Sequence, residues 1–177
     1  MERKIIMNLA ISIDGFIADE KGGFDWIVGD GSTRLDTDKK WDYKLFLKGI
    51  DTVVMGKACY DQNMQSDFTD KKVFVATRSS ITDYDNMHFI SGDICKIIDQ
   101  ERKKEGKDIF LFGGGVLVDN FLKADIIDEF IVGIIPVILG KGRPLFLGNN
   151  PMVNLELEEY IVDGGIVIVR YKRRADI

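Results

Sequence analysis

The chain has 177 residues, of which 45 % are hydrophobic and 30 % are charged, a mixture typical of a globular domain. Its 24 Lys and Arg residues against 29 Asp and Glu residues give a net charge of −5, which argues against nucleic acid or an anionic membrane as a main partner. The two cysteines, Cys59 and Cys95, form no cluster with the only histidine, His88, so a zinc site of the usual Cys/His spacing is excluded.

The first half of the chain predicts strands that alternate with loops and a helix. Its first apolar run is interrupted by Asn8 and ends at Asp14-Gly15, a turn-forming pair unlike the cleavage site of a signal peptide. No apolar run reaches about 18 residues, so we expect a cytoplasmic protein without a membrane span. The predicted elements are a strand over 4–13, a glycine-rich loop over 19–32, a helix over 37–47, and strands over 51–55, 72–77 and 87–91.

The second half of the chain ends in strands alone. Two further helices and four strands are predicted, namely a helix over 94–104, a strand over 108–112, a helix over 116–122, and strands over 129–138, 153–162 and 166–171. Asp163-Gly164-Gly165 is a plausible hairpin turn between the last two strands. This order predicts one α/β domain over 1–177, with a mostly parallel central sheet, helices on its faces and antiparallel C-terminal strands.

The strongest local signal is the triple glycine Gly113-Gly114-Gly115, which is followed by Val116 and Leu117 where a strand becomes a helix. Glycines there let the backbone approach a ligand, and the free N–H groups of the helix start favour a phosphate or pyrophosphate. A tight turn between packed elements is an equal alternative. The pattern is not a Rossmann fingerprint, because the third glycine is missing and the motif does not lie in the first βα unit.

Two other strand ends carry cations. Gly56-Lys57 follows one strand, and Thr77-Arg78-Ser79 follows the next. Together they could hold a phosphate monoester, which would favour NADPH over NADH because NADPH carries an additional 2′-phosphate. Taken singly, each side chain is better explained as a solvated surface residue, and only the two together at adjacent strand ends favour a binding site.

Asp14 and Trp26 are candidates for the substrate side. A carboxylate at the end of the first strand could bind substrate or order a proton-donating water, although Asp14 could also serve only the turn. Trp26 could line a pocket or anchor its loop. Cys59 has no neighbouring base and His88 lies in a predicted strand, so neither is assigned a catalytic role. The loop over 139–146 carries Lys141 and Arg143, which could meet an anionic substrate or belong to an exposed connection.

Five motifs in order resemble the dihydrofolate reductase-like superfamily. The chain is most similar to the C-terminal reductase domain of the bifunctional riboflavin-biosynthesis deaminase-reductase and to its stand-alone relatives. The motifs are NLAISIDGFIA at 8–18, DTVVMGKACY at 51–60, VFVATRSS at 73–80, IFLFGGGVLVDNFL at 109–122 and IPVILGKGRPLF at 135–146. The resemblance implies a three-layer α/β/α fold and an NADPH-dependent reductase.

The resemblance also implies roles for individual residues. Gly56, Lys57, Thr77 and Arg78 would surround the 2′-phosphate, and residues 113–117 would hold the pyrophosphate. Ala10 and Ile17 would flank the nicotinamide, while Asp14 would lie on the substrate side. The chain departs from the superfamily at Cys59, where Thr or Ser is common, and at Lys40, which lies near the position of the pterin-binding acid of dihydrofolate reductases.

The expected reaction is hydride transfer from NADPH to a C=N or C=O group of a small polar molecule. The sequence offers no obvious general acid, so the proton is expected to come from water. The alternative is a nucleotide-binding module of the same fold that carries out no chemistry. Related reductase domains are often dimers, so we also expect a homodimer, with the apolar C-terminal strands as its interface.

Overall fold

Ten strands and four α-helices alternate along residues 2–175, the part of the chain that the computed structural model describes. A 3₁₀ helix, Met64–Phe68, follows the second α-helix. In chain order the elements are β1 (Ile5–Ser12), β2 (Phe16–Ala18), α1 (Tyr43–Lys48), β3 (Ile50–Gly56), α2 (Lys57–Asp61), β4 (Lys72–Ala76), β5 (Met87–Ile90), α3 (Ile94–Glu101), β6 (Asp108–Gly113), α4 (Gly115–Lys123), β7 (Glu129–Ile135), β8 (Arg143–Pro144), β9 (Leu155–Asp163) and β10 (Ile166–Arg173).

Eight of these strands form one sheet in the order β5-β4-β3-β6-β1-β7-β10-β9. The pairings from β5 across to β7 are parallel, whereas β7–β10 and β10–β9 are antiparallel. The predicted α/β class, with a mostly parallel sheet and antiparallel C-terminal strands, is therefore confirmed. Since parallel strands point the same way, their carboxyl ends meet at one edge of the sheet, where ligands bind in open α/β folds.

Alternating side chains of the strands pack into two apolar layers. On one face, Ile5, Met7 and Leu111 contact α3 and α4. On the other face, Ile6 and Phe110 pack with the side chains of α1, α2 and the 3₁₀ helix. The result is the three-layer arrangement that the resemblance implied. No helix in the described part of the chain is long and apolar enough to cross a bilayer.

The predicted helix over 37–47 is wrong in its first half. Only Tyr43–Lys48 is helical, and the Asp42 carboxylate caps its start by accepting a hydrogen bond from the Leu45 N–H at 2.9 Å. Ahead of it, Thr37 bonds to the main chain of Val162 in β9, with N–O distances of 2.9 and 3.0 Å. These long-range bonds hold the segment against the sheet, where its backbone cannot also form helical bonds.

Candidate active site

The carboxyl ends of β1, β3, β4 and β6 open into a cleft of about 1150 Å³. The sheet register creates it, because Gly56 pairs with Ala76 of β4 and Met55 pairs with Gly113 of β6. Every residue predicted for coenzyme binding lines this cleft: Ala10, Ile17, Gly56, Lys57, Thr77, Arg78, Ser79, Gly113, Gly114, Gly115, Val116 and Leu117. Three strand ends that are distant in the sequence therefore share one groove.

The glycines at the start of α4 adopt a backbone that other residues would resist. Gly113 and Gly114 have φ of 117° and 26°, in the range that favours glycine. No side chain caps the helix, so its first N–H groups are free for a ligand or water. Gly115 also lies against the β8 main chain, and a Cβ there would come within 2.5 Å of the Pro144 carbonyl oxygen. These features make a concave site that suits an anion.

The two predicted cations differ in what already holds them. The Lys57 ammonium bonds to the Asp61 carboxylate and lies 5.6 Å from the centre of the Tyr60 ring. The Arg78 guanidinium is exposed and forms no salt bridge within residues 2–175. The Thr77 hydroxyl accepts a hydrogen bond from the Ser79 N–H at 3.0 Å, which fixes the turn that carries Arg78. Arg78 is therefore the cation whose charge is more fully available to a ligand.

Arg143 is a further cation of the cleft whose role the sequence left undecided. It lies on β8, which pairs with β2, and a Cβ at Gly22 would come within 3.0 Å of its guanidinium. The two-stranded sheet of β2 and β8 thus carries this charge over the cleft beside the start of α4. The signal in the sequence was a glycine-rich loop with two cations, Lys141 and Arg143, which by itself did not show the direction of either side chain.

Asp14 lies outside the lining of the cleft, and its carboxylate is occupied. It accepts hydrogen bonds from the Ser12 hydroxyl at 2.7 Å and from the N–H groups of Leu139 and Gly140 at 3.1 and 2.8 Å. The bond from Ser12 is the main reason that the pKa of Asp14 lies below its ordinary value, with the two N–H donors adding to the effect. Asp14 therefore ties the β1–β2 turn to the loop that leads into β8.

This geometry predicts that Asp14→Asn lowers the melting temperature at pH 7. A carboxylate whose pKa is lowered by folding stabilises the protein above its unfolded pKa of 3.8, and this stabilisation is lost as the pH falls through the lower folded value. The difference from the wild type should therefore shrink on acidification, as followed by thermal denaturation. Asp38→Asn, at an exposed position, is the matched control. Loss of turnover without any loss of stability would contradict this structural role.

Trp26 also lies outside the lining. It is half-buried, and its indole N–H donates a hydrogen bond to the Gly23 carbonyl at 3.2 Å, which anchors the loop. Its neighbours Phe24 and Ile27 line the cleft instead. The direction of each aromatic side chain in the glycine-rich loop depends on the loop's own turns, which its sequence alone does not show.

Cys59 lines the cleft as a protonated thiol. Its Sγ lies 3.6 Å from the Gly113 carbonyl oxygen, to which it donates. Burial raises its pKa above the ordinary value, so the nucleophilic thiolate is disfavoured. At this departure from the superfamily pattern, the side chain joins the end of β6 to α2 and carries out no evident chemistry.

Comparisons with known proteins agree with this arrangement. The family model for the RibD C-terminal domain matches residues 3–169. Uncharacterized protein YwjB of Bacillus subtilis is 36 % identical over 182 aligned positions, which cover 98 % of this chain and 99 % of that protein.

Solved structures show the same fold. A putative riboflavin biosynthesis protein from Shewanella sp. PV-4 has a TM-score of 0.80 at 27 % identity and covers 98 % of this chain and 99 % of its own. A diaminohydroxyphosphoribosylaminopyrimidine deaminase/5-amino-6-(5-phosphoribosylamino)uracil reductase from Thermotoga maritima has a TM-score of 0.71 at 15 % identity, covering 98 % of this chain and 57 % of that one. The resemblance found in the five motifs is confirmed: the chain belongs to the RibD C-terminal domain family.

Proposed function

We propose that the protein is an NADPH-dependent reductase that transfers a hydride to a C=N or C=O group of a small polar substrate, resembling a riboflavin precursor or a pterin. The observation that carries the proposal is the single cleft formed by the strand ends at 56–57, 77–79 and 113–117. Membership of a reductase-like family supports an oxidoreductase, and the Thermotoga maritima protein is by its name a deaminase and 5-amino-6-(5-phosphoribosylamino)uracil reductase.

The residues present fit NADPH. The uncapped start of α4 provides N–H groups for the pyrophosphate, and the open space beside Gly114 lets a ligand approach the main chain closely. Arg78, with the Thr77 and Ser79 hydroxyls beside it, offers charge and donors for the 2′-phosphate. Ala10 is small enough to leave space for a flat nicotinamide ring.

The protein's own contribution is to bind and orient. When bound, NADPH would supply the hydride, and Ala10 and Ile17 would set the plane of the ring beside the substrate. Phe24, Ile27 and Phe112 give the cleft apolar walls that would exclude water from the reacting atoms. Because the Asp14 oxygens are engaged by Ser12 and the 139–140 loop, we assign the proton to solvent water and not to this carboxylate.

Coenzyme preference tests the proposal. We expect NADPH to raise the melting temperature more than NADH does, and Arg78→Ala to weaken NADPH binding by roughly ten- to a hundredfold, because it removes charge-assisted bonds to the 2′-phosphate. Lys57→Ala should cost less, since its ammonium is already paired with Asp61. NADH binding, measured by calorimetry on the same variants, is the control. The assignment is overturned if neither NADPH nor NADH binds the protein or raises its melting temperature.

The alternative function is a nucleotide-binding module without chemistry. The engagement of Asp14 favours it, because the carboxylate first considered for proton delivery is held in a structural contact. NADPH oxidation at 340 nm distinguishes the two functions. Turnover with any pterin, flavin precursor or simple carbonyl supports the reductase, whereas tight NADPH binding without turnover across such a panel supports the module.

We propose further that the protein works in the cytoplasm as a homodimer. Apolar side chains remain exposed on the antiparallel end of the sheet, where Leu157 and Tyr160 of β9 and Val167 of β10 are 51, 61 and 37 % exposed. Such side chains on neighbouring strands are typical of a surface that a second copy covers.

A further inference from the structure

The cleft is positively charged although the chain as a whole is acidic. Among the described residues that line it, three are cations, Lys57, Arg78 and Arg143, and one is a carboxylate, Asp67. The net charge of the whole chain is −5. A groove whose charge is opposite to that of the surrounding surface raises the local concentration of small anions. The cleft therefore suits a ligand that carries more than one anionic group.

Arg143 enters the cleft from β8 and is not neutralised by a carboxylate. It pairs with Ala18 of β2, is exposed, and forms no salt bridge within residues 2–175. Lys141, on the same loop, differs because its ammonium lies 2.8 Å from the Glu20 carboxylate and it does not line the cleft. The loop thus carries one cation that is neutralised outside the cleft and one that is available to a ligand inside it.

The position of Arg143 is fixed by contacts of β8 with the start of α4. A Cβ at Gly115 would come within 2.5 Å of the carbonyl oxygen of Pro144, the residue after Arg143. Burial raises the pKa of the Cys59 thiol, whereas the charge of Arg143 lowers it, so the guanidinium lies near this side chain. The Cys59 thiol in turn lies 3.6 Å from the Gly113 carbonyl oxygen. Arg143 is therefore close to the triple glycine.

The main chain that faces Arg143 is open to a ligand. A Cβ at Gly114 would meet no atom within 4 Å, and no side chain caps α4. The first N–H groups of α4 and the guanidinium of Arg143 are thus unsatisfied donors that border the same part of the cleft. A guanidinium donates two parallel hydrogen bonds to phosphate oxygens, and with the helix N–H groups it suits a group with two negative charges, such as a diphosphate.

Arg78 lies at a different part of the cleft. It follows β4, and the triple glycine ends β6, two strands away in the sheet or about 10 Å at the usual strand spacing. NADPH carries anionic groups at both the 2′ and the 5′ oxygens of its adenosine ribose. NADH lacks the 2′-phosphate but keeps the 5′-diphosphate. The two coenzymes can therefore distinguish an arginine that binds one group from an arginine that binds the other.

We infer that Arg143 binds the diphosphate of the coenzyme and contributes equally to the affinities for NADPH and NADH. The inference rests on the proposed reductase function and adds a second arginine to its coenzyme site. Arg78 then determines the preference for NADPH, whereas Arg143 supports either coenzyme. Because Arg143 belongs to β8 and the N–H groups belong to α4, the bound diphosphate would join these two elements.

Calorimetric titration of the full chain with NADPH, NADH and adenosine 2′-monophosphate tests the assignment. We expect Arg143→Ala to weaken NADPH and NADH by the same factor, roughly tenfold or more, because both contain the diphosphate. Adenosine 2′-monophosphate should weaken by no more than about threefold, since a screened charge about 10 Å away acts weakly. Arg78→Ala should weaken NADPH and adenosine 2′-monophosphate but not NADH. Arg143→Lys should restore part of the lost affinity, because an ammonium keeps the charge but not the bidentate geometry.

Lys141→Ala is the matched control. It removes a cation of the same loop that lies outside the cleft lining, and all three affinities should stay unchanged. Since Arg143 is exposed, thermal denaturation of the free Arg143→Ala variant should match that of the wild type. Arg143→Gln gives a second uncharged variant if the alanine variant does not fold.

The inference is wrong if Arg143→Ala leaves the affinity for NADH unchanged or weakens NADPH alone. It is also wrong if the variant loses only the binding of ribose 5-phosphate to the NADP⁺-saturated protein, because the arginine would then bind a phosphate of the substrate. The reductase proposal survives each of these results as long as the wild type binds NADPH more tightly than NADH. If neither coenzyme binds the wild type, both the inference and the proposed function are overturned.

Discussion

Gly115→Ala is expected to abolish NADPH binding while the protein still folds. A Cβ at this position would lie 2.5 Å from the Pro144 carbonyl oxygen and 3.5 Å from that of Leu145. The nearest obstacle is main chain and cannot rotate away as a side chain could. The start of α4 would therefore move from β8 and carry its N–H groups out of register with a bound pyrophosphate.

The cost in stability should be smaller than the cost in binding. Overpacking by one methyl group typically destabilises a protein by about 1–3 kcal/mol, which a domain with about 5–15 kcal/mol of stability survives. Chemical denaturation measures the first quantity and calorimetric titration with NADPH the second. Gly49→Ala is the matched control, because its φ of −82° suits alanine and it lies outside the cleft lining. Undiminished NADPH affinity in Gly115→Ala would show that the α4–β8 contact does not shape the site.

The sheet and its glycine-ended strands could be predicted because their signals are local. The strands β3, β4 and β6 read as short, continuous apolar runs, as parallel strands buried on both faces do, and each run is followed by a glycine or a polar turn. Their shared cleft then follows from parallel pairing alone, which aligns the carboxyl ends. Eleven of the twelve coenzyme-side residues came together for this reason, whereas Ile17 lies on β2, outside the parallel sheet.

The features that were missed depend on contacts between distant parts of the chain. Thr37 forms bonds to Val162, 125 positions away, and these override the helical spacing of its own neighbours. The sequence predicts a free carboxylate at Asp14, but the N–H groups of Leu139 and Gly140, 125 and 126 positions away, donate to its two oxygens.

Arg3→Leu is expected to produce the largest loss of stability outside the apolar core. Arg3 is 5 % exposed at the amino-terminal edge of the sheet, and its guanidinium donates to the Glu101 carbonyl at 3.2 Å, to the Thr52 hydroxyl at 2.6 Å and to the Asp51 carboxylate. Removing one member of such a network leaves buried acceptors unpaired, a loss of about 3 kcal/mol. We place it at the lower end of the usual range because the Asp51 side chain is 38 % exposed and Glu101 keeps its bonds to Lys72 and Lys104.

Urea denaturation of Arg3→Leu beside Arg34→Leu, an arginine on an exposed loop, measures this loss. A loss below about 1 kcal/mol would place the network among ordinary solvated surface pairs. NADPH affinity of the folded variant should stay unchanged, because Arg3 precedes β1 and the cleft lies at the other end of that strand. The two edges of the sheet thus have different roles. Replacing Arg3 at the amino-terminal edge should weaken mainly folding, whereas replacing Gly115 at the carboxyl-terminal edge should weaken mainly NADPH binding.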